Sequence, residues 1–200
     1  MRFFVVAILL IENRFVSTSN ILVWSPSYGR SHVMFMGNIA DVLTADGHNV
    51  TILMPMLDPQ ITTFGNKLPA YTIGIKDEFD AWSDLDMKGS AIWTAPTCTV
   101  MCVKWSDYKS MVEATYRICK GLLENEDLMH RLNESNFDLV YSEGLDTCGP
   151  GLFEVLKIKN AVILSTLGMM PRLYDIAGLL PSPSFVPIGL SPFSDELSFM

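Results

Sequence analysis

Three histidines stand in this chain of 200 residues, His32, His48 and His130, and proton transfer near neutral pH is the chemistry an imidazole does best. A histidine acting as general base needs a neutral ring, with one nitrogen free to take the proton. It also needs a partner that holds the other nitrogen in place. Two acids sit together in a short polar stretch, SEGLDTCGPG, that follows an apolar run: Glu143 and Asp146. The other common constellations are missing. There is no GxGxxG dinucleotide fingerprint, no GxxxxGK[ST] phosphate loop, no GxSxG elbow and no HExxH helix. The four cysteines, Cys98, Cys102, Cys119 and Cys148, show no CxxC spacing and no accompanying histidine pair, so no metal site and no resident cofactor is expected.

Which histidine can act depends on the elements around it. Ile21 to Trp24 is a short apolar run closed by Pro26, read as a first strand. Ser31 is an N-cap candidate, and Val33, Met36, Ile39, Ala40 and Leu43 recur at helical spacing. Asp46-Gly47 stops that helix, and Val50 to Met54 is a second strand ended by Pro55. The unit is β-α-β, so its strands are parallel. Ala70 to Ile75 and Ala91 to Trp93 read as strand or loop. From Thr97 to Leu132 the pattern is helical, with a break near Ser106-Asp107. Its apolar stripe, Val103, Tyr108, Met111, Val112, Tyr116, Cys119, Leu122 and Leu123, is read as core packing. Phe137 to Ser142 is a further strand, Gly144 to Gly151 a loop, Leu152 to Leu156 a short helix and Ala161 to Ser165 another strand. The tail, Pro181 to Pro192, holds four prolines and is expected to be extended or looped. This alternation predicts an α/β fold, a doubly wound, mostly parallel sheet with flanking helices.

In such sheets sites form beyond the carboxyl ends of the strands. His32 lies between the first strand and its helix, at that edge, and the helix N-terminus beside it favours the neutral ring. His48 lies at the opposite edge and is expected to finish the helix, where positive charge suits the dipole. His130 falls in a polar helical segment and is expected to be solvated. Glu143, directly after a strand, is the candidate partner of His32, with Asp146 as the second choice.

Bulk composition narrows the partners. Hydrophobic residues make up 49% and charged residues 18%, which predicts a well-buried sheet or a large apolar pocket. The net charge is -8 with no basic run, which argues against nucleic acid and against anionic membrane surfaces. Residues 1–19 have the layout of a secretory signal peptide: Arg2, an apolar run from Phe3 to Ile11, then small polar residues near the expected cleavage point at Ser17 to Ser19. The mature chain would then meet an oxidising lumen, where a disulfide among the four cysteines is open but unassigned. Two glycosylation sequons are present, at Asn49 and Asn133.

Three segments resemble the UDP-glucuronosyltransferases, particularly the nematode-type members: NILVWSPSYGRSHVMFMGNIADVLTADGHNVTILMP, FDLVYSEGLDTCGPGLFEVLKIKNAVILST and LPSPSFVPIGLSPFSDELSFM. They cover most of the chain in order. The resemblance implies the N-terminal, acceptor-binding half of a GT-B glycosyltransferase, in which two doubly wound domains face each other across a cleft. It implies that His32 is the base and Glu143 its partner acid. Many vertebrate members carry Asp there, so Glu143, one methylene longer, is a departure. UDP-sugar would be a co-substrate bound by a C-terminal domain. That domain's signature and the family's membrane anchor are not found in residues 20–200, which are expected to form a truncated acceptor-binding domain, inactive alone.

Two readings follow. One is a detoxifying transferase, or a fragment of one, moving a glucuronosyl or other hexosyl group to the hydroxyl of a small lipophilic acceptor with inversion. The other is an inactive relative that binds lipophilic molecules or pairs with full-length transferases as a homo- or hetero-oligomer. Twelve methionines suit an adaptable apolar pocket under either. The family setting is the endoplasmic reticulum, membrane-anchored at full length, and lumenal or secreted if the chain ends at Met200.

Overall fold

The computed structural model describes residues 17–76, 105–166 and 171–180. The signal-peptide run, Ala91 to Trp93, Cys98, Cys102 and the proline-rich tail lie outside these residues. Five strands form one sheet: β1 (Asn20–Trp24), β2 (Asn49–Met56), β3 (Tyr71–Lys76), β4 (Leu139–Glu143) and β5 (Ala161–Leu164). Their order is β3-β2-β1-β4-β5, and every pairing is parallel. The helices are α1 (Arg30–Ala45), α2 (Trp105–Glu124), α3 (Glu126–Glu134), α4 (Cys148–Val155) and α5 (Pro171–Ala177).

The central strand β1 is apolar on both faces because both of its faces are covered. Along β1, Leu22 and Trp24 point into a core shared with Leu122 of α2, Leu128 and Leu132 of α3, and Leu152 of α4. Ile21 and Val23 point the other way, into a core with Met36 and Ala40 of α1. All four are at most 2% exposed. Burying each side chain is worth roughly 1.5–3 kcal/mol, which secures this central strand.

Several boundaries differ from the sequence-based expectation. The N-cap of α1 is Gly29, not Ser31, and the Val33 amide donates to the Gly29 carbonyl at 3.2 Å. Ser31 therefore lies in the first turn. Gly47 does take the left-handed conformation after α1, with φ +89°. Pro55 does not end β2; it pairs with Ile75 of β3. The Leu53 and Pro55 carbonyls face β1, accepting from the Ser25 and Ser27 amides. At that level β1 has already ended, so no ladder bond is lost where proline lacks its N–H. The helical stretch is interrupted at Asn125, whose side chain caps α3 by accepting from the Leu128 amide at 3.0 Å. The expected break near Ser106-Asp107 adjoins residues 97–104, which lie outside the described residues. The face that α2 buries runs through Ala114, Ile118 and Leu122, while Val112, Tyr116 and Leu123 of the expected stripe are exposed.

The largest shift is in α4, which begins at Cys148 rather than Leu152. Glycines and a proline would ordinarily argue against a helix at GPG. Three features allow it. Pro150 sits in the first turn, where its missing N–H was unpaired anyway. Asp146 accepts from the Gly149 amide at 2.8 Å. Cys148 is joined to Cys119 of α2 by a disulfide, with the two Cα atoms 5.7 Å apart. A side chain at Gly149 would meet the Trp24 ring at 2.8 Å, so glycine lets α4 lie directly on β1. Among the described residues no helix is long and apolar enough to cross a membrane.

Candidate functional site

Strand order sets the location. β1 leads into α1 on one face, while β4 leads into α4 on the other. Adjacent strands whose connections leave on opposite faces create a crevice at their carboxyl ends. His32 and Glu143 both stand at this crevice.

His32 is the third residue of α1, carried there by the Ser25 to Gly29 turn. Glu143 is the last residue of β4 rather than the first of a loop. Its direction follows from strand parity. Tyr141, two residues earlier, packs on the α1 side of the sheet, so Glu143 points to that side too. The result is a direct contact. His32 Nδ1 lies 2.9 Å from Glu143 Oε1 and 2.8 Å from Oε2. The His32 side chain is 14% exposed and that of Glu143 is 4% exposed, so one partner reaches solvent and the other does not.

A third residue joins them, one that sequence reading missed. Thr166, two residues past β5, places Oγ1 3.0 Å from His32 Nδ1 and donates to Glu143 Oε1. Glu143 pairs with Leu164 in the β4–β5 ladder, which brings Thr166 level with the carboxylate. The available signal was its place at the carboxyl edge of a fourth predicted strand. All three of these contacts to the imidazole are made at Nδ1, on one side of the ring.

The other candidates do not gather here. Asp146 is buried on the opposite side, where Oδ2 accepts from Trp24 Nε1 at 2.9 Å and Oδ1 caps α4. It does not orient His32. Tyr28 stays protonated because burial, and next the Asp146 charge, push its phenol far above the usual range. His48 lies at the far edge, as topology requires, but its Nδ1 accepts from the Ser19 amide at 3.2 Å. It ties down the start of β1; the end of α1 is closed by backbone amides of Asp46, Gly47 and His48. His130 is on the surface beside Glu134. Both sequon asparagines are exposed, Asn49 at the start of β2 and Asn133 in α3.

Among the described residues no group of three or more His, Cys, Asp or Glu side chains forms a metal-ligand set. A small apolar cavity, about the size of one water, lies between the sheet and α2, lined by Trp24, Tyr28, Leu57, Ile118 and Cys148. It is far smaller than a lipophilic acceptor requires.

Residues 19–200 match the family model described as "UDP-glucoronosyl and UDP-glucosyl transferase". UDP-glucuronosyltransferase 2B30 of Macaca fascicularis is 32% identical over 97% of this chain and 38% of its own length. UDP-glucuronosyltransferase 2B1 of Rattus norvegicus is 30% identical over 90% of this chain and 35% of its own. The Caenorhabditis briggsae protein ugt-47, whose provisional name is also that of a UDP-glucuronosyltransferase, is 31% identical over 80% of this chain and 30% of its own. The chain thus spans 30–38% of the length of these relatives. The fold matches the crystal structure of SsfS6, a Streptomyces sp. SF2575 glycosyltransferase, with TM-score 0.50 and 20% identity over 80% of this chain and 43% of that one.

Proposed function

This chain belongs to the UDP-glucuronosyl and UDP-glucosyl transferase family, and we propose that it supplies the acceptor side and the general base of a sugar transfer from a UDP-sugar to a small lipophilic alcohol or phenol. The observation that carries this reading is the His32–Glu143 contact at the crevice between β1 and β4. His32 Nε2 takes the proton from the acceptor hydroxyl as that oxygen attacks the anomeric carbon of the sugar. The bond from that carbon to the UDP oxygen breaks, UDP leaves with the electron pair, and the configuration inverts. Glu143 holds the Nδ1 proton and stabilises the imidazolium that forms.

The UDP-sugar is a co-substrate, held by a C-terminal domain of the kind the longer relatives have room for. The choice between glucuronosyl and other hexosyl groups rests with that domain. We assign the chain to the lumen of the endoplasmic reticulum. The Cys119–Cys148 disulfide supports an oxidising compartment, and the exposed Asn49 and Asn133 are reachable for glycosylation.

The test uses this chain joined to a UDP-sugar-binding half, with UDP release measured against a panel of phenols. His32→Ala is expected to slow turnover at least about a hundredfold, with the fold intact by circular dichroism. Near-normal turnover of that variant would overturn the mechanism. Absence of turnover with every donor, alongside retained binding of the phenols, would favour the binding-only relative.

A further inference from the structure

We propose that Thr166 is a positioning residue for the base: its hydroxyl occupies Glu143 Oε1, so that the carboxylate holds His32 as the Nδ1–H tautomer and leaves Nε2 free for the acceptor. The inference deepens the proposed transferase reading and rests on it for its consequence in turnover.

The argument is one of donors and acceptors. Three groups meet in a triangle: Thr166 Oγ1, His32 Nδ1 and the Glu143 carboxylate. The carboxylate only accepts. If Nδ1 carried no proton, its lone pair would face two carboxylate oxygens at 2.8–2.9 Å, acceptor against acceptor. The threonine's single proton would then have to serve both. With the proton on Nδ1, every contact is satisfied. Nδ1–H donates to the carboxylate, the Thr166 hydroxyl donates to Oε1, and the threonine oxygen turns a lone pair toward Nδ1. Glu143 is buried, so water does not readily replace the threonine at Oε1. A carboxylate anchored on one oxygen has one position from which to hold the ring. Without that anchor, a glutamate with its extra methylene has rotameric freedom that a shorter acid lacks.

Thr166→Val keeps the side-chain shape and removes the hydroxyl, while Thr166→Ser keeps the hydroxyl and loses the methyl. In the wild-type chain, 15N NMR of the His32 ring is expected to show the Nδ1–H tautomer. In Thr166→Val a sizeable fraction of Nε2–H is expected, and Thr166→Ser should restore the wild-type spectrum. With a donor half supplied, Thr166→Val should lower kcat about tenfold with acceptor KM nearly unchanged, and Thr166→Ser should recover most of it. A packing role would give the reverse order, Val tolerated and Ser harmful. An Nε2–H tautomer in the wild type, or a Thr166→Val variant with wild-type tautomer and kcat, overturns the inference. The two readings fail separately. If His32→Ala is fully active, the base assignment falls while the tautomer result still decides the role of Thr166.

Discussion

The indole Nε1–H of Trp24 donates to Asp146 at 2.9 Å, a bond between the central strand and the turn before α4 with both partners buried. It separates the two acids of the SEGLD segment by role. Asp146 faces the α4 side and is saturated by structural donors. Glu143, three residues earlier, faces the α1 side and meets the histidine.

Asp146→Asn is therefore expected to damage stability before chemistry. Trp24 Nε1 donates to one oxygen of Asp146 and the Gly149 amide to the other, and an amide offers only one oxygen. One bond must be lost, at roughly 1–3 kcal/mol. Urea unfolding of the purified chain measures this. Unchanged stability together with a large loss of turnover would make Asp146 the orienting acid instead.

Glu143→Gln should behave the opposite way. Gln matches Glu in size, so the fold should change little. The imidazolium formed during transfer would lose its counter-charge, and kcat should fall roughly ten- to a hundredfold, the scale of a hydrogen bond to a charged group. Steady-state kinetics with a saturating donor provide the check. A kcat within about twofold of wild type would leave His32 without the partner assigned here.

The Cys119–Cys148 bond joins α2 to the first residue of α4 across a sequence separation of 29. Closing a loop of that length stabilises by roughly 3–4 kcal/mol in the chain-entropy view. Cys119→Ser should lower the thermal midpoint by several degrees and reduce its response to added reductant. A wild-type midpoint that does not respond to reductant would show that the bond does not form.

The parallel architecture, the edge location of His32 and its pairing with Glu143 were legible in the sequence, because each follows from the order of apolar runs. The disulfide and the cap of α4 were not. They depend on Asp146, Cys119 and Gly149 meeting around Trp24, and nothing in a GPG segment signals a helix. Thr166 was missed for another reason. The carboxyl edge of β5 carries neither an acid nor a histidine, and a lone threonine after a strand has no spacing to reveal it. His48 shows the converse: its edge was read correctly, but its partner is the Ser19 amide, 29 residues away, rather than the helix end.

Tyr141 offers a test of the core itself. Its ring is buried on the α1 side of the sheet, and its hydroxyl has no hydrogen-bond partner among the described residues. Burial, and then the Asp41 charge, raise its phenol well above the ordinary value of 10.0. The folded state thus favours the protonated form, and the unfolded chain gives up the proton first. Stability from this group is full below about pH 10 and is lost as pH climbs past it, by about 1.4 kcal/mol per unit. Tyr141→Phe removes both the unpaired hydroxyl and the titration. It is expected to be neutral or more stable by up to about 2 kcal/mol at pH 7. It should also lose less stability than wild type between pH 10 and 11, because one titrating group is gone. Paired urea melts at the three pH values measure the difference. A Phe variant clearly weaker at pH 7, with the wild-type alkaline slope, would mean that the hydroxyl is hydrogen-bonded after all.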